Sequence, residues 1–97
     1  MRGYHYLRTA ILLAYEEPAY LKSLIKGLYP EVAKIHQAKS WRVVETGIRR
    51  AIELTWENGN RELLSEIFSE NITLSQFKPK NSEFLSTIVD MLKLKNS

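Results

Sequence analysis

Ninety-seven residues suffice for one domain with a single core, and 44% hydrophobic with 26% charged residues, three prolines and four glycines describe a globular chain rather than a disordered one. The absence of cysteine excludes disulfide frameworks, thiolate catalysis and thiolate metal sites, and it fits a reducing compartment. The start, Met1-Arg2-Gly3-Tyr4-His5-Tyr6, lacks the layout of a signal peptide, and the longest uncharged apolar stretch, Thr9 to Tyr15, is far short of the roughly 20 residues that span a bilayer. The expectation is a cytoplasmic, all-α protein of one domain over residues 1–97, with no membrane partner.

In chain order, Leu7, Ile11, Ala14 and Tyr15 recur at helical spacing and predict a first amphipathic helix from about Gly3 to Tyr15. Glu16-Glu17-Pro18 breaks it. Pro18 suits the first turn of a second helix with an inward stripe of Leu21, Leu24, Ile25 and Leu28, weakened at its end by Gly27. Tyr29-Pro30 repeats the punctuation and opens a short third helix, Glu31 to His36, with Val32, Ala33 and Ile35 as its apolar positions. Gln37-Ala38-Lys39 reads as a turn.

Ser40 is a candidate N-cap for the fourth and longest helix, about 41–56, whose inward stripe is Val44, Ile48, Ala51, Ile52 and Thr55. Asn58-Gly59 ends it, since either residue adopts the left-handed conformation that terminates helices. Asn60 would cap a fifth helix through Phe68, buried by Leu63, Leu64 and Ile67. Ser69 to Lys80 reads as irregular. Asn81 or Ser82 would cap a sixth helix with Phe84, Leu85, Ile88, Met91 and Leu92 inward, and Lys93 and Lys95 complement its C-terminal dipole.

The formal charge is only +3, but it is polarised along the chain. From Lys34 to Arg50 five basic residues face one acid, and from Glu53 to Glu70 five acids face one base. A basic block of this kind suits phosphates, although a solvated helix face is the commoner origin of a charge run taken alone. The third and fourth helices fit the plan of a helix-turn-helix over about 30–57: a support helix, a turn, and a helix whose outward residues enter the major groove of DNA. Ala33 is the small residue at the helix approach and Val44 the first inward residue of the recognition helix. Their spacing is one residue longer than in the most compact versions, which predicts an enlarged turn around Gln37 to Ser40.

With Val44, Ile48 and Ala51 inward, Arg42, Glu45, Thr46 and Arg49 fall on the opposite face at offsets of three, four and seven. Arginine can give a bidentate pair of bonds to guanine, glutamate can accept from the cytosine amino group, and threonine can bond a base or touch a thymine methyl. Lys39, Ser40 and Arg50 lie at the margins and suit phosphates. Read by themselves, Arg42, Glu45 and Arg49 fit exposed intrahelical ion pairs equally well. Trp41 suits a packing role at the first turn better than a DNA contact, and Trp56 suits the core. His5 and His36 lie in different helices with no acid at a spacing that makes a metal pair or catalytic triad, and no phosphate-binding glycine loop is present, so neither enzymatic activity, nor a metal, nor a cofactor is expected.

Several segments together resemble a known family. Tyr29-Pro30-Glu31-Val32-Ala33-Lys34, Val44-Glu45, Ile48-Arg49, Ala51-Ile52-Glu53, then Gly3-Tyr4, Tyr6-Leu7-Arg8 and Ala10-Ile11, and finally Lys80 with Asn81-Ser82-Glu83-Phe84, resemble the C-terminal effector domain of the stage-zero sporulation transcription factor family of endospore-forming bacteria. The resemblance runs from about residue 3 to residue 95. It implies a compact bundle of six helices with a central helix-turn-helix that binds a short asymmetric element of double-stranded promoter DNA, with homodimers on tandem sites, in the bacterial nucleoid. It also implies that Glu45 and Arg49 contact bases, because they occupy the glutamate and second-arginine positions of the family's recognition segment. The first arginine position holds Thr46, and Gly47 stands where the family has alanine. Lys80 joins the phosphate contacts by the same resemblance. Family members usually carry an N-terminal phosphoacceptor receiver domain; no receiver is expected within these 97 residues, and a longer parent chain would supply one. The competing reading is a protein-interaction module that pairs with or antagonises a full-length relative without specific DNA binding, and the substitution at Thr46 and the longer turn are what favour it.

Overall fold

The computed structural model describes residues 2–59 and 79–96, which form helices and turns with no strand. In order these are α1 (Arg2–Glu16), a 3-10 helix (Pro18–Lys22), a π-helical turn (Leu24–Leu28), α2 (Tyr29–His36), α3 (Trp41–Asn58) and α4 (Asn81–Lys95). The described residues thus contain four α-helices where the sequence predicts six helices. One of the missing two is the expected second helix, which divides into the 3-10 and π turns. The other, the expected fifth helix at Asn60 to Phe68, lies outside the described residues, as does the predicted irregular stretch up to residue 78.

The expected second helix fails for a local reason. Glu17 caps the 3-10 turn through its side chain, and Ser23, at φ −147° and ψ 63°, cannot continue a helix. The chain restarts with the Leu28 amide donating to the Ser23 carbonyl five residues back (3.0 Å). Such a turn carries one residue more than an α turn, so the expected stripe shifts register. Leu28 is fully buried, Leu21 and Leu24 are half-buried, and Ile25 is 50% exposed.

α1 buries Gly3, Tyr6, Leu7, Ala10 and Ala14, while Ile11 and Tyr15 sit half-buried at its margin. The buried face is thus rotated from the predicted one toward small residues, because α1 packs closely on α3. A Cβ on Gly3 would collide with the Gly47 carbonyl oxygen, and one on Gly47 would come within 2.8 Å of the Tyr6 ring. These two glycines let the helix backbones touch, an approach that side chains would prevent.

α2 starts two residues before the predicted Glu31, with Tyr29 buried and Pro30 in the first turn, and buries Val32 and Ala33. Ile35, expected as an apolar position, is 51% exposed. The helix ends at Gln37, which adopts the left-handed conformation (φ 57°, ψ 36°) while the Ala38 amide reaches back to the Ala33 carbonyl at 2.8 Å. Four residues, Gln37 to Ser40, then connect α2 to α3.

α3 follows the predicted periodicity: Val44, Ile48, Ala51 and Ile52 are buried, and the Thr55 hydroxyl donates to the Ala51 carbonyl at 2.8 Å. Both of its ends differ from expectation. Ser40 occupies the N-cap position in extended conformation, but its hydroxyl makes no capping bond. Gly59 is extended (φ −79°, ψ 169°) rather than left-handed, since its amide reaches the Thr55 carbonyl at 2.7 Å and satisfies that terminal acceptor without a left-handed residue.

α4 begins at Asn81, with Lys80 as the cap residue and the Glu83 carboxylate accepting from the Lys80 amide at 3.2 Å. The predicted caps Asn81 and Ser82 therefore lie inside the helix. Phe84, Leu85 and Val89 are buried, Ile88, Met91 and Leu92 half-buried, and Lys93 and Lys95 occupy the last turn. The four α-helices share one core centred on Leu28, Val32, Val44, Ile48, Ile52 and Leu85, with Trp41 and Trp56 packed at its edge.

Candidate nucleic-acid interface

Burial of Val44, Ile48 and Ala51 fixes how α3 is rolled against the core. At about 3.6 residues per turn, Thr46 stands nearly opposite them. Arg42, Thr46, Arg49 and Arg50 are exposed and Glu45 is half-buried, so all four candidate base-contacting residues lie on the side of α3 away from Ile48 or at its margin.

The structure divides these four between two concavities. On the flank toward α4, Glu45 and Arg49 line an open cleft of about 380 Å³ together with Tyr29, Lys80 and Asn81. On the flank toward α1, Arg42 and Thr46 line a second groove of about 540 Å³. The Arg42 guanidinium lies 5.1 Å from the centre of the Trp41 ring, a cation–π contact that holds it at the head of the helix. Trp41 thereby both packs on the core and steadies an exposed arginine. Lys39 and Ser40 are exposed at the N-terminal end of α3, and Arg50 is exposed farther along it. Lys80, forty residues away in sequence from Ser40, is brought beside Glu45 and Arg49.

What brings Lys80 there is Asn81. Its side-chain amide donates to the Tyr29 hydroxyl and to the Glu45 backbone carbonyl, each at 3.2 Å. One side chain thus ties the start of α4 to both α2 and α3. The Tyr29 phenol is pushed above its ordinary value of 10.0, chiefly by burial; the bond from Asn81 opposes that rise, the Glu45 carboxylate adds to it, and the Arg49 guanidinium reduces it. By residue type Asn81 points only to a helix cap, and nothing in the local sequence points to Tyr29 at this site. No local pattern signals a contact across 36 or 52 positions.

Asn81→Ala is expected to cost about 1–2 kcal/mol in denaturant unfolding, because it removes two partly buried bonds and strands a phenol and a carbonyl. It is also expected to move the titration of Tyr29 to still higher pH, because the bond that favours the phenolate is gone. The raised Tyr29 value has a stability consequence of definite sign. The unfolded chain ionises at the ordinary pKa while the folded one resists, so this contribution is full below pH 10.0 and is lost as pH rises through the folded value.

Neither histidine belongs to the face. His5 is exposed, while His36 is hydrogen-bonded to the Thr9 hydroxyl (2.7 Å) and meets the Tyr6 ring edge-on at 5.3 Å. Among the described residues no group of three histidines and acids could hold a metal, and no helix is long and apolar enough to cross a membrane.

Residues 1–92 match the family model described as sporulation initiation factor Spo0A, C terminal. The chain belongs to this family. The Spo0A C-terminal family is one of DNA-binding sporulation regulators, which gives the charged outer face of α3 its context. Within that family pattern Gly47 now has a physical reason. It sits where α1 lies against α3, and a methyl group there would press on the Tyr6 ring.

Proposed function

We propose that this chain is a sequence-specific DNA-binding domain, one unit over residues 1–97, in which α2, the Gln37–Ser40 connection and α3 act as a helix-turn-helix and α3 enters the major groove. In this reading Glu45, Thr46, Arg49 and Arg42 contact bases, while Lys39, Ser40, Arg50 and Lys80 contact phosphates. The supporting observation is the roll of α3: with Val44, Ile48 and Ala51 fully buried, its exposed ridge carries a threonine flanked by arginines. A major groove about 12 Å wide accepts such a helix. Regulation then follows from occupancy of promoter DNA in the cytoplasm, with pairing of two copies on tandem sites and control by a receiver domain in a longer parent chain. No catalysis and no cofactor are needed.

Two results are expected. First, binding is salt-dependent. Contacts from Lys39, Arg50 and Lys80 correspond to a slope of about −2.7 in log affinity against log salt, so affinity falls roughly 40-fold over a fourfold rise in salt. A flat response in a fluorescence titration contradicts the phosphate assignments. Second, threonine has no two-pronged donor with which to select guanine, so discrimination at the base pair facing Thr46 is weak or favours thymine through the methyl group. Site selection from a random DNA pool tests this. Thr46→Arg should sharpen one position toward guanine and leave the others nearly unchanged. If the wild-type chain already demands guanine there, a different residue of α3 faces that base pair. An interaction module without specific DNA binding enriches no sequence at all.

A further inference from the structure

The groove on the α1 side of α3 is not explained by the contacts above. It is lined by Arg2, Gly3 and Tyr6 of α1 and by Arg42, Val43, Thr46 and Gly47 of α3. Two guanidinium groups and no carboxylate line it. Val43 is 42% exposed, an apolar side chain facing solvent beside the two cations. Arg42 is steadied by its stacking on Trp41, and the groove exists because Gly3 and Gly47 let α1 settle against α3 without side chains between them.

This lining matches one strand of DNA entering beside the recognition helix, with Arg2 for the anionic oxygens, apolar contacts for the deoxyribose, and Arg42 and Thr46 on the side of the base edges. The location agrees. A helix in the major groove has a backbone on each side, and Lys80 already stands on the opposite flank of α3, beside Glu45 and Arg49.

We propose that Arg2 is a phosphate-contacting residue: the groove between α1 and α3 holds a DNA strand, with Arg2 and Lys80 gripping the two backbones that border the recognition helix. This rests on the DNA-binding reading and adds a contact from a different helix. Arg2 lies 40 positions from Arg42 in sequence, so no spacing argument finds it.

The test compares wild type with Arg2→Gln, Lys80→Gln and the double variant, using both a duplex enriched from a random pool by the wild-type chain and a duplex of scrambled sequence. Arg2 and Lys80 are exposed, so each variant should keep the wild-type circular dichroism spectrum and unfolding midpoint. Each single substitution should make the salt slope shallower by about 0.9 on both duplexes and the double by about 1.8, with the selected site still preferred. A slope unchanged by Arg2→Gln while wild type binds overturns this proposal and leaves the DNA-binding reading standing. A wild-type chain that binds neither duplex overturns both. An unchanged slope accompanied by loss of binding to a polyglutamate probe assigns the groove to an acidic peptide instead.

Discussion

Ile48→Asp is expected to abolish cooperative folding. Ile48 has no exposed surface and sits in the core shared by α1, α2, α3 and α4. Truncating a buried isoleucine costs about 2–5 kcal/mol by itself. A carboxylate at that position adds the cost of a buried charge, or of the proton that must neutralise it, and among the described residues no basic side chain is buried that could pair with it. The sum is comparable to the roughly 5–15 kcal/mol that stabilise a whole domain. Thermal melts by circular dichroism should show no cooperative transition for Ile48→Asp, whereas Ile48→Val should lose only about 0.5–1.5 kcal/mol. A melt within a few degrees of wild type for the aspartate variant would mean that α3 is rolled differently, with Ile48 outside.

Arg49→Ala should have the opposite profile, leaving the fold intact and damaging recognition. Arg49 is exposed, and alanine is the best helix former, so unfolding should change by no more than about 0.5 kcal/mol. Loss of a bidentate contact to guanine should weaken binding to the preferred site by about 1–3 kcal/mol, or roughly five- to 150-fold. Affinity for scrambled DNA should change far less, because contacts from Lys39, Arg50 and Lys80 to phosphates are indifferent to sequence. Equal losses on both duplexes would make Arg49 a phosphate contact instead of a reader.

The contrast between these two residues was legible in the sequence because both lie on one long, strongly periodic helix. Val44, Ile48, Ala51 and Ile52 repeat at helical spacing, and their burial alone fixes the direction of Thr46 and Arg49. Elsewhere helical spacing does not decide burial, because tertiary contacts override it. Leu21, Leu24, Ile25 and Leu28 also have helical spacing, yet Ser23 and an i to i+5 turn break the register and expose Ile25. On α1 Leu7 and Ala14 are buried as their spacing predicts, but Ile11 and Tyr15 stay at the margin, because the close approach at Gly3 and Gly47 brings Gly3, Tyr6 and Ala10 inward and hydrophobicity patterns do not weigh the absence of a side chain. α4 starts one residue earlier than Asn81 by type suggests, with the Glu83 carboxylate accepting from the Lys80 amide, while the Asn81 amide nitrogen donates across to Tyr29 and Glu45 and so turns that side chain toward α2 and α3.

The candidate site shows the same division. Glu45, Thr46 and Arg49 could be chosen from one helix and from the family resemblance, whereas their separation into two concavities depends on what flanks α3. Lys80 arrives on one side through the Asn81 bonds, and Arg2 on the other through the packing of α1. Such placements are tertiary, and sequence spacing carries no information about them.

If α3 reads base edges in the major groove, single guanine atoms that face that groove must matter to binding. Guanine N7 is exposed only there, so replacing single guanines of the selected duplex by 7-deazaguanine removes one acceptor without altering Watson–Crick pairing or the minor groove. The measurement is a fluorescence titration of each substituted duplex against wild type and Arg49→Ala. Wild type should lose affinity at one guanine or more, and at one of those positions Arg49→Ala should be indifferent to the substitution. If no 7-deazaguanine substitution weakens wild-type binding, or if Arg49→Ala responds to each as wild type does, then α3 does not read the major groove through Arg49.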